Sequence, residues 1–355
     1  MDLSKPLIIN AELFLQCHGH CAGCFLTPEE RVEENTHLNK IKEPILSLLK
    51  ENRDYSSLIL GFGRGNLLNL SYSALDELLD FMKVCEKLIV KDILYEVSTS
   101  LIGKIEPQIE KALYLIEKNK NIYFNTVINS EITSPNFWKN WEKIYTATAE
   151  KRKSWGWDDN FGDILVLNIN PKLLPNLDFI EKHIQGKGSP FNISLFPFVD
   201  KEITNEDLLK LNNWSKELWL RFKNNDLNIK NYLTLLNGIN VESNITDILE
   251  YHEKNVNSYF FIDKDGVIVD GSLSIMGEVD YFRLKNKFSI NPDIKNAFKL
   301  MQKIKPCQTC LYQKECILSG AYLNMVNNSE KIQNSKYCLS GYQPIFELAG
   351  SQIGS

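Results

Sequence analysis

From about residue 7 to residue 200, short apolar runs alternate with longer stretches whose apolar positions recur at helical spacing. The runs predict strands at Leu7–Gln16, Ser57–Phe62, Ile93–Ser98, Ile122–Ile128, Asp163–Ile169 and Ile193–Phe198. Between them, Leu75, Leu78, Leu79 and Met82 mark one amphipathic helix, and Ile109, Ala112, Leu113 and Ile116 mark another. Six strand–helix units in succession imply a parallel α/β sheet with right-handed crossovers, as a partial barrel or a doubly wound sheet. Either arrangement gathers ligands at the C-terminal ends of the strands.

The pattern changes after about residue 250. Tyr259–Val269 reads as a hairpin with Lys264-Asp265-Gly266 at its turn, followed by a helix over Asp293–Ile304. The expected organisation is a barrel-type unit over 1–200, a helical bridge over 201–255, a small accessory domain over 256–345 and a tail over 346–355. Trp138, Trp141, Trp155 and Trp157 fall in a long connection. They read as helix packing, with the turn-like segment around Trp155 and Trp157 as an alternative wall for a substrate.

Composition narrows the functional classes. A formal net charge of −5 gives no support to nucleic-acid binding. No signal peptide and no apolar run of about 18 residues is present, which points to a cytoplasmic protein with no membrane partner. In a reducing compartment clustered thiols ligate metal or do catalysis, so the eight cysteines need an explanation. Cys85 sits at helical spacing with Leu78 and Met82 and reads as buried packing.

The other seven fall into two groups. Cys17, Cys21 and Cys24 form C-x3-C-x2-C in a loop leaving the first strand. Three thiolates cannot complete the four-ligand shell of a [4Fe–4S] cluster, so one iron stays open for an exogenous ligand. Zinc, with His18 or His20 as fourth ligand, is the competing reading. Cys307, Cys310, Cys316 and Cys338 supply four thiolates, enough to saturate zinc or a cluster.

C-x3-C-x2-C just after a first strand resembles the radical S-adenosylmethionine (SAM) superfamily. The 307–338 segment, with its preceding hairpin, looks like the accessory SPASM/twitch domain of radical SAM peptide maturases. The resemblance implies a partial (β/α)6 TIM-like barrel with a small C-terminal iron–sulfur domain. It also implies SAM chelated to the open iron of the first cluster, and reductive cleavage to a 5′-deoxyadenosyl radical that abstracts a substrate hydrogen. Cys17, Cys21 and Cys24 would then be the catalytic ligands.

Departures from the family pattern are local. Gly23 replaces the usual aromatic before the third cysteine, and Phe25 follows it as a cover for the adenine. The Gly-Gly-Glu-Pro position holds Gly61-Phe62-Gly63-Arg64-Gly65-Asn66, without the acid or the proline. Gly61, Gly63, Arg64, Asn66, Ser98, Ser100, Asn125 and Asn129 end or follow strands and are the expected SAM contacts. The cysteines of a first auxiliary cluster are missing, with Gly320 and Asp270-Gly271 in their places. Two [4Fe–4S] clusters are therefore expected, one binding SAM and one auxiliary.

The family modifies ribosomally made peptides or proteins, and a crosslink, oxidation or epimerisation is the leading expectation. A radical SAM enzyme acting on a sugar, amino acid or cofactor precursor is the alternative, and a metal-binding scaffold is the non-enzyme rival. Because the sequence starts at its first strand, a leader peptide would be held by a separate protein or by the enzyme's own surface. A flavodoxin or ferredoxin is the expected reductant.

Overall fold

The computed structural model describes residues 6–18, 26–51, 55, 57–89, 92–129, 135–157, 164–169, 171–172, 174–184, 196–197, 203–222, 259–270, 301–313, 334–339, 341 and 343–353. Six parallel strands appear where the apolar runs predict them: β1 (Pro6–Phe14), β2 (Ser57–Arg64), β3 (Asp92–Thr99), β4 (Ile122–Asn129), β5 (Ile164–Ile169) and β6 (Phe196–Pro197). They lie in chain order, from β6 at one edge to β1. A doubly wound sheet reverses its order at a switch point, and this one does not. With right-handed crossovers, monotonic order puts every connecting helix on one face, which is the arrangement of a partial barrel.

That face forms the core. Strand residues at alternate positions, such as Leu7, Ile9 and Leu13 in β1 and Leu58, Leu60 and Phe62 in β2, are almost inaccessible to solvent. They meet the apolar stripes of α2 (Leu38–Glu51), α3 (Tyr72–Leu88) and α4 (Ile105–Lys118). Each fully buried side chain of this size contributes about 1.5–3 kcal/mol relative to exposure. Tyr95 of β3 reaches through the layer and donates from its hydroxyl to the Met82 carbonyl of α3 at 2.9 Å. Cys85 is fully buried in α3, and desolvation pushes its thiol up to about 12, so it is inert packing, as its spacing predicts.

The tryptophans divide. Trp138 and Trp141, on α5 (Pro135–Lys153), are core residues. Trp155 and Trp157 pack edge to face just beyond that helix, with Lys120 over the Trp155 ring. Lys120 precedes β4, so this pair sits at the N-terminal end of the sheet. A substrate wall at the strands' C-terminal ends is therefore not where these rings lie.

The hairpin expected at Tyr259–Val269 is present as β7 (Tyr259–Ile262) and β8 (Ile268–Asp270). It does not stand apart. β7 pairs in parallel with β1 and extends the main sheet past its first strand. Asp263 Oδ1 closes the turn, accepting from the amides of Asp265 and Val267 at 2.9 Å. Of the helix expected at Asp293–Ile304, residues 293–300 lie outside the described residues. No helix among the described residues is long and apolar enough to cross a membrane.

Gly266 carries a φ of +82° and backs onto α2, where an added Cβ would stand 2.5 Å from the Lys40 carbonyl oxygen. Gly156 has a similar φ, +75°, with nothing within 4 Å. Alanine at 156 then meets only the backbone cost of about 1–2 kcal/mol. At 266 it should cost that and more, because a fixed carbonyl must move. Urea unfolding of the two variants checks the order; equal losses would place the turn away from α2.

Candidate functional site

The first cysteine loop leaves the C-terminal end of β1 and is fixed at both sides by backbone bonds. Gly65 N donates to Phe14 O and Asn66 N donates to Gln16 O, each at 2.8 Å. Gly65 has to be glycine, because a Cβ would lie 2.5 Å from Gln16 O and 2.8 Å from Phe14 O. Cys17, half-buried, donates its amide to Arg31 O at 3.0 Å, and His18 is exposed. Arg31 ends the short helix α1 (Pro28–Arg31), which Thr27 and Glu30 open as a reciprocal capping box. His37, just before α2, donates its amide to Leu13 O at 2.8 Å. Cys21, Cys24 and Phe25 lie outside the described residues.

Facing away from the helices, the strands line the barrel lumen in tiers set by register. The lower tier is apolar: Ile8, Ile59 and Leu94. The next runs Phe261, Asn10, Gly61, Glu96, Tyr123 from β7 across to β4. Above it come Ser98 and Asn125, with Gly63 against the Ser98 hydroxyl. A closed barrel fills its lumen with branched apolar side chains. Here glycine, amide, hydroxyl and carboxyl groups occupy the C-terminal half, which suits a polar ligand. The glycines of β2 leave room for their neighbours' polar groups: the Asn10 carboxamide lies over Gly61 and the Ser98 hydroxyl against Gly63.

Glu96 accepts from Tyr123 Oη at 3.0 Å and from Asn125 Nδ2 at 2.5 Å. Desolvation pushes its carboxyl up from the usual range, and the two donors oppose that shift. Asn125, an expected SAM contact, thus has its amide group engaged by Glu96. Asn66 is a buried hub: its Oδ1 accepts from Thr99 Oγ1 at 2.9 Å, and its Nδ2 donates to Gln108 Oε1 at 3.1 Å and to Asn69 Oδ1 at 3.3 Å. It therefore joins the β2 loop to β3 and α4. The Ser100 hydroxyl is buried with no hydrogen-bond partner among the described residues. The Asn129 side chain lies outside what the structure describes.

Arg64 adopts a φ of +100° and lays its guanidinium over the Phe261 ring, 4.8 Å from the centroid. Its Nε is 3.5 Å from Glu12 Oε1, on β1. The Glu12 carboxylate, 1% exposed, also accepts the Lys264 backbone amide at 3.0 Å. Lys264 Nζ in turn lies 3.4 Å from Glu30 Oε1, and Lys40 Nζ lies 2.7 Å from Asp265 Oδ1. The hairpin turn thus touches β1, α1 and α2, the segments on either side of the cysteine loop.

The Cys338 segment of the second group rests on α7 (Asn205–Phe222). Asn212 Nδ2 donates to Cys338 O at 2.7 Å, and Lys336 N donates to Asn205 Oδ1 at 3.1 Å. α7 also holds one outer helix of the sheet: Trp214 Nε1 donates to Pro175 O at 2.7 Å, just before α6 (Leu177–Ile184). Cys307 opens the Cys307–Cys310 turn from the short helix α8 (Lys305–Gln308), and Cys310 N donates to Cys307 O at 3.2 Å. Burial, and then the neighbouring Cys338 and Cys310 thiols, push the Cys307 thiol up. A donor set whose deprotonation is opposed by its own members is suited to a cation that neutralises them. Among the described residues the three thiols do not close into a metal-binding group, and Cys316 lies outside them. α9 (Gln343–Ile353) packs on α7.

No protein-family model and no curated protein matches the sequence. Solved structures do. The native form of anSMEcpe, a SPASM-domain radical SAM anaerobic sulfatase maturase, with bound AdoMet and Cp18Cys peptide, superposes with a TM-score of 0.54. The likeness covers 98% of both chains at 15% identity. The polyhistidine-tagged form with bound AdoMet gives 0.54 over 99% of this chain and 98% of that one, at the same identity. The chain has the fold of this enzyme. At that identity the likeness is one of architecture.

Sequence reasoning missed Asn10, Glu12, Glu96 and Tyr123. The signal was available: in Ile9-Asn10-Ala11-Glu12-Leu13 and Tyr95-Glu96-Val97-Ser98, polar residues alternate with apolar ones late in each strand. Lys264 and Phe261 carried no such signal, because only the β1–β7 pairing brings them to the site. Replacing Asn66 with Ala leaves Thr99 and Gln108 each short of a buried partner. Urea unfolding should show a loss of about 2–4 kcal/mol; a loss within about 0.5 kcal/mol would mean the hub carries no weight.

Proposed function

We propose that this protein is a radical SAM enzyme that abstracts hydrogen from a ribosomally made peptide or protein, forming a crosslink, an oxidised residue or an epimer. The reading rests above all on the position of C-x3-C-x2-C. The loop leaves the C-terminal end of a strand held on both sides by parallel neighbours, over a polar lumen, in the fold of anSMEcpe. The peptide part is supported by the Cp18Cys peptide bound to that structural neighbour. In this reading, residues 1–200 hold the SAM site, 201–255 bridge, and 256–345 form the accessory unit.

Cys17, Cys21 and Cys24 would hold a [4Fe–4S] cluster with one open iron. When bound, that cluster supplies the electron that cleaves SAM reductively. The chain's own residues position and exclude. Gly61 and Gly63 let the Asn10 carboxamide and the Ser98 hydroxyl lie close against β2, and Ser98, Ser100 and the Asn125 region would offer polar atoms to SAM from the next strands. Phe25 would cover the adenine and Asn129 would meet the ribose or carboxylate. Arg64 is held by Glu12 and Phe261 at the loop where the family's acid stands. Cys307, Cys310, Cys316 and Cys338 would saturate an auxiliary [4Fe–4S] cluster, which then has no site for substrate and serves electron relay or cross-links the accessory unit. A flavodoxin or ferredoxin would deliver electrons in the cytoplasm. A leader peptide would be presented by a separate protein or by the enzyme's own surface.

Protein reconstituted without oxygen should bind about eight irons per chain, the content of two four-iron clusters. Changing Cys17, Cys21 and Cys24 together to Ala should abolish 5′-deoxyadenosine formation and leave about four irons. Stoichiometric zinc in place of iron, or SAM cleavage by the triple variant under dithionite, defeats the assignment.

Cys310→Ala separates the roles of the two groups. Dithionite reduces the first cluster directly, so some SAM cleavage should survive. The ratio of modified peptide to 5′-deoxyadenosine should fall several-fold. An unchanged ratio in soluble, folded variant would reduce the second group to a stabilising metal knot.

A further inference from the structure

Glu96 is a carboxyl group placed deep in the barrel, and among the described residues no cation stands beside it. It projects from the middle of β3 into the lumen, opposite a glycine on one side and Tyr123 on the other. The residue as a whole is half-buried. Both of its hydrogen-bonding partners are neutral donors, Tyr123 Oη and Asn125 Nδ2. Among the described residues no cationic side chain pairs with it and none contributes to its electrostatics. Three acids at the mouth of the lumen and the hairpin turn are matched by cations: Glu12 by Arg64, Glu30 by Lys264 and Asp265 by Lys40. A carboxyl group removed from water without a cation is costly, and proteins keep one where something else completes it.

No charged side chain of the tier to which it belongs faces it among the described residues. Gly61 presents no side chain of its own, and the Asn10 carboxamide that lies over it is neutral. Phe261 closes the far end of the tier, and its ring is already covered by the Arg64 guanidinium. A group entering the lumen from the strands' C-terminal ends would pass Gly63 and Ser98 and meet Glu96 one tier lower, about 7 Å further along the strand.

We infer that Glu96 is the anionic subsite of the lumen, where a cationic group of a bound ligand completes the Glu96–Tyr123–Asn125 cluster. The inference deepens the proposed function and rests on its reading of the lumen as the active site. The same chemistry has two sources. One is an amine or guanidinium carried by the peptide substrate, which its depth below the cysteine loop favours. The other is the charged sulfonium–ammonium end of SAM. Tyr123 and Asn125 are positioning residues, acting through Glu96.

The test uses the full-length reconstituted protein and pairs of probes that differ in charge. For the SAM source the pair is SAM and the neutral 5′-methylthioadenosine. For the substrate source it is n-butylguanidinium and n-butanol. Affinities are measured by calorimetry for wild type, Glu96→Gln and Glu96→Asp. Gln keeps shape and hydrogen bonding and removes the charge. In wild type the cation of one pair should bind more tightly than its neutral partner. Gln should erase about tenfold or more of that preference, and Asp, which keeps the charge, should retain most of it. The pair that responds names the source. A preference unchanged in Gln for both pairs, or absent from wild type for both, overturns the subsite and leaves Glu96 a structural acid. If Gln fails to fold, Tyr123→Phe, which removes one positioning bond, should narrow the same preference without abolishing it. A protein that binds no SAM but discriminates the butyl pair through Glu96 would contradict the SAM assignment while upholding the subsite.

Discussion

The pairing of β1 with strands on both of its sides is the constraint from which the site follows. β2 and β7 each run parallel to it, so the backbone of residues 8–11 is hydrogen-bonded left and right before the chain turns into the cysteine loop. A parallel ladder fixes which residues share a face, and a slip by one would exchange lumen for core. The register that buries Leu7, Ile9 and Leu13 under the helices also points Ile8, Asn10 and Glu12 into the lumen. The hydrophobic face therefore orients the polar one.

The glycines of the β2 loop extend that constraint to the loop itself. Gly65 lets the chain approach Phe14 and Gln16 closely enough for two backbone bonds, and these bonds replace the water that the ends of β1 would otherwise need. Asn66 then ties the same loop to β3 and α4 through its side chain. The first strand's exit is thus held by neighbours, and the cysteines need not organise it. A metal-binding loop that must itself order a long flexible segment loses affinity to that entropy.

How much of this is legible in the sequence depends on whether the determining contact is local. Strand positions and the β7–β8 turn are readable because alternation and the Lys-Asp-Gly turn are local signals, and the core helices because their apolar spacing is. The position of C-x3-C-x2-C after β1 is readable for the same reason. What is not readable is where β7 goes. Tyr259-Phe260-Phe261-Ile262 states that a strand forms, and says nothing of the partner, since parallel pairing with β1 joins segments far apart in the chain. Glu12–Lys264, Arg64–Phe261 and the hairpin's contacts with α1 and α2 all depend on that pairing and are invisible with it. Asn66 is legible as a loop polar residue, and its place beside the glycines suggests a cofactor contact. Its actual partners, Thr99 and Gln108, appear only when β3 and α4 are in place.

The backbone of the β2 loop also acquires a physical sense once the hairpin is placed. In this chain that loop carries a base, Arg64, in a left-handed backbone conformation that costs a non-glycine residue about 1–2 kcal/mol. Such a conformation persists where surrounding contacts over-determine it. Phe261 supplies a ring beneath the guanidinium, and Glu12 supplies the opposite charge. Glu12 is held in turn by a backbone amide of the hairpin, which is less mobile than a side chain. The acid and base at the mouth of the lumen are therefore both anchored by the same added strands. If β7 were absent, Arg64 would lose its ring, and the nearly inaccessible Glu12 carboxylate would lose the amide that holds it. The hairpin is part of the site by this reasoning, although it follows the barrel's last helix in sequence.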